Sequence, residues 1–142
     1  MAVLTEQAKE LLTSGALAHL VTINASGSPH VTCVWVGLDG DEIVSAHLSA
    51  SQRKLANVHR DPRVALSLET DRVNEWGLRE YLVIEGTASL SEGGAPELLQ
   101  QLAHVYLGPE VIFPSMPEPP PGHVMRIRPL RVSGVGPWKP TT

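Results

Sequence analysis

Apolar residues near the start of the chain fall at Leu4, Ala8, Leu11 and Leu12, the spacing of one helical face, and Gly15 behind them predicts the helix end. The pattern then changes period. Leu17–Asn24, Pro29–Gly37 and Asp41–Leu48 are rich in Val, Ile, Thr and Trp and are separated by the turn signals N-A-S-G-S-P and L-D-G-D. Links this short predict antiparallel hairpins. The third of these strands alternates, with Val44, Ala46 and Leu48 against Ile43, Ser45 and His47. Val31–Val36 is apolar on both faces, which predicts a central strand covered on both sides.

A short basic helix follows within S-A-S-Q-R-K-L-A-N-V-H-R-D-P-R-V-A-L-S-L, from Ser49 to Leu68. Asp61-Pro62 stops it, because a residue preceding proline avoids the α region, and Arg63–Leu68 resumes as a strand with Val64, Leu66 and Leu68 on one face. Glu80–Leu90 is a long strand, and Gly86 on its apolar face marks a bulge or a barrel bend. Ala95–Tyr106 is helical, opened by Pro96 and closed by Gly108-Pro109. The prolines at 114, 117, 119, 120 and 121 exclude regular structure, leaving a surface excursion or an arm over a site or a partner subunit. Val124–Arg128 is the last clear strand. Trp138, set between prolines in a G-V-G-P-W-K-P tail, predicts a docked tail, because an exposed terminus gains nothing from an indole.

Five or six antiparallel strands with only short helices give a mainly β fold with minor α, and a small barrel best removes the exposed sheet edges. The 142 residues suit one domain over 1–142, with little surplus to enclose a large cofactor alone. A formal charge of −4 with no long basic run argues against nucleic acid as a partner. No apolar run approaches the ~20 residues of a membrane span, and the acidic, amphipathic start does not resemble a signal peptide. The lone Cys33 excludes an internal disulfide and is compatible with a reducing, cytoplasmic setting; its place within a strand predicts a buried, inert thiol.

The chemistry suggested by the residues is anion binding. Ser49 or Ser51 can cap the start of the basic helix, where Arg53 and Lys54 add charge to an end already positive by its dipole, and phosphate fits there best. Metal-ligand spacing among the six histidines, a G-x-S-x-G elbow, an S-x-x-K motif, a P-loop and a G-x-G-x-x-G fingerprint are all missing from the sequence. What remains is an anion-anchoring barrel without an obvious catalytic set, which suits a redox cofactor that carries its own chemistry.

Four stretches, A-H-L-V-T-I-N-A-S-G-S-P-H-V-T-C-V-W-V (18–36), R-K-L-A-N-V-H-R-D-P-R-V-A-L (53–66), Y-L-V-I-E-G-T-A (81–88) and R-I-R-P-L-R-V-S-G-V-G-P-W (126–138), resemble in order and spacing the flavin/deazaflavin oxidoreductases of the pyridoxamine 5′-phosphate oxidase-like superfamily. The likeness is strongest to the actinobacterial branch that uses the deazaflavin coenzyme F420. It implies an antiparallel, six-stranded Greek-key split β-barrel of the FMN-binding type, and a homodimer with the cofactor ring at the subunit interface. It also implies that Arg53 and Lys54 hold the cofactor phosphate and that the strand of Pro29, His30, Val31, Thr32, Cys33 and Val34 runs along the ring. The expected activity is F420-dependent hydride transfer to or from a small conjugated substrate, its proton coming from solvent or from a side chain such as Tyr106 or His47. FMN is the alternative cofactor, and a carrier that binds cofactor without turnover is the alternative class. The arginine and histidine motifs by which the true oxidase binds pyridoxal phosphate are not recognisable, so that substrate is not implied.

Overall fold

The computed structural model describes residues 3–49 and 51–139. Its elements are α1 (Glu6–Leu12), β1 (Ala18–Ile23), β2 (Pro29–Val34), β3 (Gly37–Asp39), β4 (Glu42–His47), α2 (Arg53–Arg60), β5 (Arg63–Val73), β6 (Arg79–Glu92), α3 (Ala95–Tyr106) and β7 (His123–Val135). The strands form one antiparallel sheet in the order β2-β1-β5-β6-β7-β4-β3. The fold is the mainly β split barrel expected, with seven strands rather than six. The additional one, β3, is three residues long and pairs with β4 across the L-D-G-D turn, too short to show a period in the sequence.

The sheet curls around a core of Leu20, Leu66, Leu68, Leu82, Ile84, Met125 and Ile127, with Leu12 of α1 and Leu55 and Val58 of α2 packed into it. β6 and β7 are longer than their apolar patterns and stay paired from Tyr81–Val135 to Glu92–His123. A register shift between Glu85 and Gly86 bends this pair. The glycine is obligatory there, since a Cβ would stand 2.3 Å from the Arg128 carbonyl oxygen.

Two expectations are corrected. β2 is an edge strand, not a central one, and its Pro29, Val31 and Cys33 side chains are exposed. Cys33 is therefore an exposed thiol rather than a buried one. The strand buried on both faces is β4, where Ile43, Val44, Ser45 and His47 are all buried because α3 packs across it. The two edge strands, β2 and β3, are not hydrogen-bonded to each other, so the barrel is open between them.

The tail docks as its tryptophan predicts. Trp138 is 1% exposed and donates its indole N–H to the Tyr81 carbonyl at 2.7 Å and the Val135 carbonyl at 3.0 Å. The Thr5 hydroxyl, which also accepts from the Ala8 N–H at the start of α1, donates to the Pro137 carbonyl. The indole belongs to the main core.

Candidate functional site

Helix α2 is set in place by a buried asparagine. Asn57 Nδ2 donates to Thr22 Oγ1 and to Asn24 Oδ1, each at 3.0 Å, and Arg60 Nη2 bridges Asn57 Oδ1 and the Ile23 carbonyl. Asn57 and Arg60 thus clamp the helix to the end of β1 and fix its rotation. Because successive helical residues diverge by about 100°, neighbouring side chains leave α2 in different directions. Lys54 lines a hollow of about 220 Å³ with Cys33, Val34, Trp35, Ala46, His47, Gln52, Leu99 and Phe113. Arg53 instead lines a broad surface depression with Asn24, Ser26, Ser28, Asn57 and Arg60.

The Lys54 hollow lies in the split of the barrel, where the ends of β2 and β4 approach without pairing. Its electrostatics favour an anion. Lys54 is half-buried and its pKa is lowered by that burial, with Cys33 offsetting part of the effect. Among the described residues no carboxylate pairs with it. Nor do the serines cap the helix. The N-cap is Gln52, which makes no side-chain capping bond, while Ser49 and Ser51 bond each other at 2.8 Å. A capping serine needs extended backbone immediately before the first helical residue, and here Gln52 occupies that place. No side chain therefore caps the N–H groups at the positive end of α2.

Of the four buried side-chain polar atoms without a hydrogen-bond partner among the described residues, three lie on β2 or at the start of α2 and the fourth, His123 Nδ1, on β7. His30 Nδ1 and Thr32 Oγ1 on β2 and Gln52 Oε1 at the start of α2 are buried and make no hydrogen bond in the chain. The remaining residues of the β2 set divide by strand alternation. His30, Thr32 and Val34 share the less exposed side, and Pro29, Val31 and Cys33 the outer one.

The two side chains named as possible proton donors, His47 and Tyr106, are both drawn into hydrogen bonds within the chain. Burial lowers the pKa of His47 to about 4, Lys54 and His123 push in the same direction and the nearby Gln52 side chain opposes them in part, so the imidazole is neutral at pH 7; its Nε2 bonds Ser45 Oγ at 2.8 Å. The Tyr106 hydroxyl donates to the Ala16 carbonyl and accepts from the Val36 N–H, and burial raises its pKa. It holds the β2–β3 connection against α3. Its ring stacks on Trp35 at 5.3 Å, and Trp35 also meets Phe113, tilted, at 5.2 Å. Trp35, Phe113 and Gln52 were not singled out as site residues by the sequence, and only Gln52, beside the basic pair, carried a local signal.

The chain is thus a split β-barrel, open between its edge strands, with a hollow lined by Lys54 beside the opening. The profile of the pyridoxamine 5′-phosphate oxidase family matches residues 4–136, and the chain belongs to that family. Its fold is similar to a solved F420 reductase (25% identity, 88% of this chain and 94% of that one, TM-score 0.68). It is also similar to a conserved hypothetical protein from Mycobacterium tuberculosis (24%, 98% and 88%, TM-score 0.71) and to an FMN-binding protein from Syntrophomonas wolfei subsp. wolfei (12%, 92% and 85%, TM-score 0.68). No curated protein matches the chain. No helix among the described residues is long and apolar enough to cross a membrane.

Proposed function

We propose that the protein is an F420-dependent oxidoreductase that binds the deazaflavin in the split of the barrel and acts on a small conjugated substrate. The observation that carries this reading is the convergence, on one hollow and its flanking elements, of a half-buried unpaired lysine, an uncapped helix start and three partnerless buried polar atoms. The donor set fits the group. Lys54 and the first N–H groups of α2 would hold the phosphate, Arg53 would add charge from the other side of the helix, and Thr32, His30 and Gln52 would bond the polar edge of the ring. β2, from Pro29 to Val34, would supply the ring's bed. When bound, F420 supplies two-electron hydride chemistry; the chain supplies orientation and exclusion of water. With His47 neutral and Tyr106 committed to two backbone groups, the product's proton comes from solvent.

The hollow of about 220 Å³ is smaller than the ~300–1,000 Å³ of typical ligand sites. A second subunit would complete it, and the exposed Val31 and Tyr81 leave an apolar sheet face for that contact. The kinship to an F420 reductase at 25% identity favours the deazaflavin over FMN, which remains the alternative on the strength of the more distant FMN-binding relative.

Titration of the purified protein with F420 and with FMN tests the reading. Saturable binding of F420, weakened by about 1–3 kcal/mol in Lys54→Ala and by less in Arg53→Ala, is the expected outcome. Tight FMN binding with no F420 binding would transfer the assignment to FMN, and no binding of either would end it. Binding without faster oxidation of reduced F420 across a panel of enones and quinones would favour a carrier.

A further inference from the structure

We propose that the depression on the outer side of α2 is a second anion site, and that it takes an extended anion carrying two or more phosphate or carboxylate groups. The site does not depend on what the Lys54 hollow holds, since the two linings share no residue.

The depression, about 530 Å³, lies between α2 and the turn that joins β1 to β2, and its lining includes Asn24, Ser26, Ser28, Arg53, Ala56 and Arg60. Arg53 and Arg60 stand two helical turns apart, about 10 Å along the axis, and so share a face. Ala56 sits between them, exposed, and its methyl group leaves the space open. No carboxylate belongs to the lining. Asp61, the acid that follows Arg60 in sequence, is engaged by Arg63, whose Nε donates to Oδ1 at 3.0 Å and whose Nη2 donates to Oδ2 at 2.7 Å. Among the described residues neither Arg53 nor Arg60 forms an ion pair. Two guanidinium charges are thus left without a partner in a chain of net charge −4.

The facing turn supplies a neutral donor. Ser26 Oγ and Ser28 Oγ are 2.9 Å apart, and Ser28 Oγ also accepts from Asn24 Nδ2 while Ser26 Oγ accepts from the Ser28 N–H. One of the two hydroxyl protons makes the bond between the serines, so the other has no acceptor among the described residues and is left for a ligand. The arginines set the ligand's length. Arg60 Nη2 donates to the Ile23 carbonyl at 2.6 Å and to Asn57 Oδ1 at 3.0 Å, which fixes that guanidinium while leaving its Nε and Nη1 unbonded. Arg53 cannot meet the same small anion without crossing two helical turns. An anion with charged groups at both ends meets each arginine where it stands, with paired N–H···O bonds to each.

Inorganic tripolyphosphate serves as the probe, titrated at low ionic strength into the cofactor-free protein and followed by calorimetry and ¹⁵N amide shifts. Saturable binding is expected, with shifts concentrated at residues 24–28 and along α2, and inorganic phosphate should bind at least tenfold more weakly. Ala56→Glu, which sets a carboxylate between the arginines and removes no hydrogen bond, should weaken tripolyphosphate at least tenfold with an unchanged melting temperature. Ala56→Lys should tighten it. Arg60→Gln should weaken it at least fivefold, and the two position-56 variants carry the test if that change loosens α2. Lys54→Ala should alter tripolyphosphate affinity less than twofold, even where it abolishes cofactor binding. Titrating F420 and FMN into Ala56→Glu separates two sources of the anion: a group of the cofactor itself is lost together with tripolyphosphate, whereas a free molecule leaves cofactor affinity unchanged. No saturable binding, phosphate as tight as tripolyphosphate, indifference to the charge at position 56, or a loss in Lys54→Ala as large as in Ala56→Glu would overturn the proposal.

Discussion

His47 shows how one side chain can be legible in type while its burial is decided by the fold. It occupies a strand position whose alternation pattern placed it opposite Val44 and Ala46, yet it is 4% exposed, bonded to Ser45 and close to Lys54. With a pKa of about 4 when folded and 6.5 when unfolded, the unfolded chain binds the extra proton between these values. Stability contributed by neutral His47 is complete above pH 6.5, falls as the pH drops through that window and levels off below about 4. Urea denaturation at pH 7 and pH 5 should show a loss of about 2 kcal/mol that is absent from His47→Gln. Asn57 carries a similar lesson. It belongs to the R-K-x-x-N-x-x-R run that suggests anion binding, but its amide is spent on Thr22 and Asn24.

At the scale of elements, helices and long strands appear where their periods predict, and α3 spans Ala95–Tyr106 as expected. Strand ends differ because pairing, not hydrophobicity, decides them. β7 continues from Arg128 to Val135 since every residue but Leu130, left over at the register shift, finds a partner on β6, whatever its polarity. The Gly86 bulge was legible as a lone glycine on an apolar strand face, although the backbone it approaches, at Arg128, is 42 residues away in sequence. Gly86→Ala should cost about 1–3 kcal/mol by overpacking against that carbonyl, measurable as a lower denaturation midpoint with an unchanged slope. A variant as stable as wild type would show that the two strands can slide apart there.

For the molecule as a whole, the misplacement of β2 bears most directly on function. Its two-faced apolar pattern predicted a centre strand, whereas it lies at the sheet edge with Val31 58% exposed. An edge strand with an apolar outer side needs a cover that the described chain does not provide, and a second copy is the cover proposed. Light scattering at micromolar concentration should give about twice the 15.3 kDa chain mass, and Val31→Lys should shift it towards the monomer and weaken F420 binding in parallel. A monomeric protein that binds F420 normally would separate the site from the interface.

Composition, period and turn chemistry by themselves determined the β class, the two longer helices, the bulge and the basic block that opens α2. These are local properties: each is written in residues near one another and repeats with the geometry of its own element. Tertiary structure alone decided that β2 is an edge, that Cys33 is exposed, that Arg53 and Lys54 face different hollows, and that Phe113 stands beside Trp35. Each depends on which distant segments meet. Whether a strand is central is set by its neighbours in the sheet, and whether a lysine is unpaired is set by what the fold brings within reach of its charge. The basic start of α2 was visible in sequence because charge and helix start are adjacent there; the group of three aromatic rings was not, because they come from positions 35, 106 and 113 and meet only in the fold.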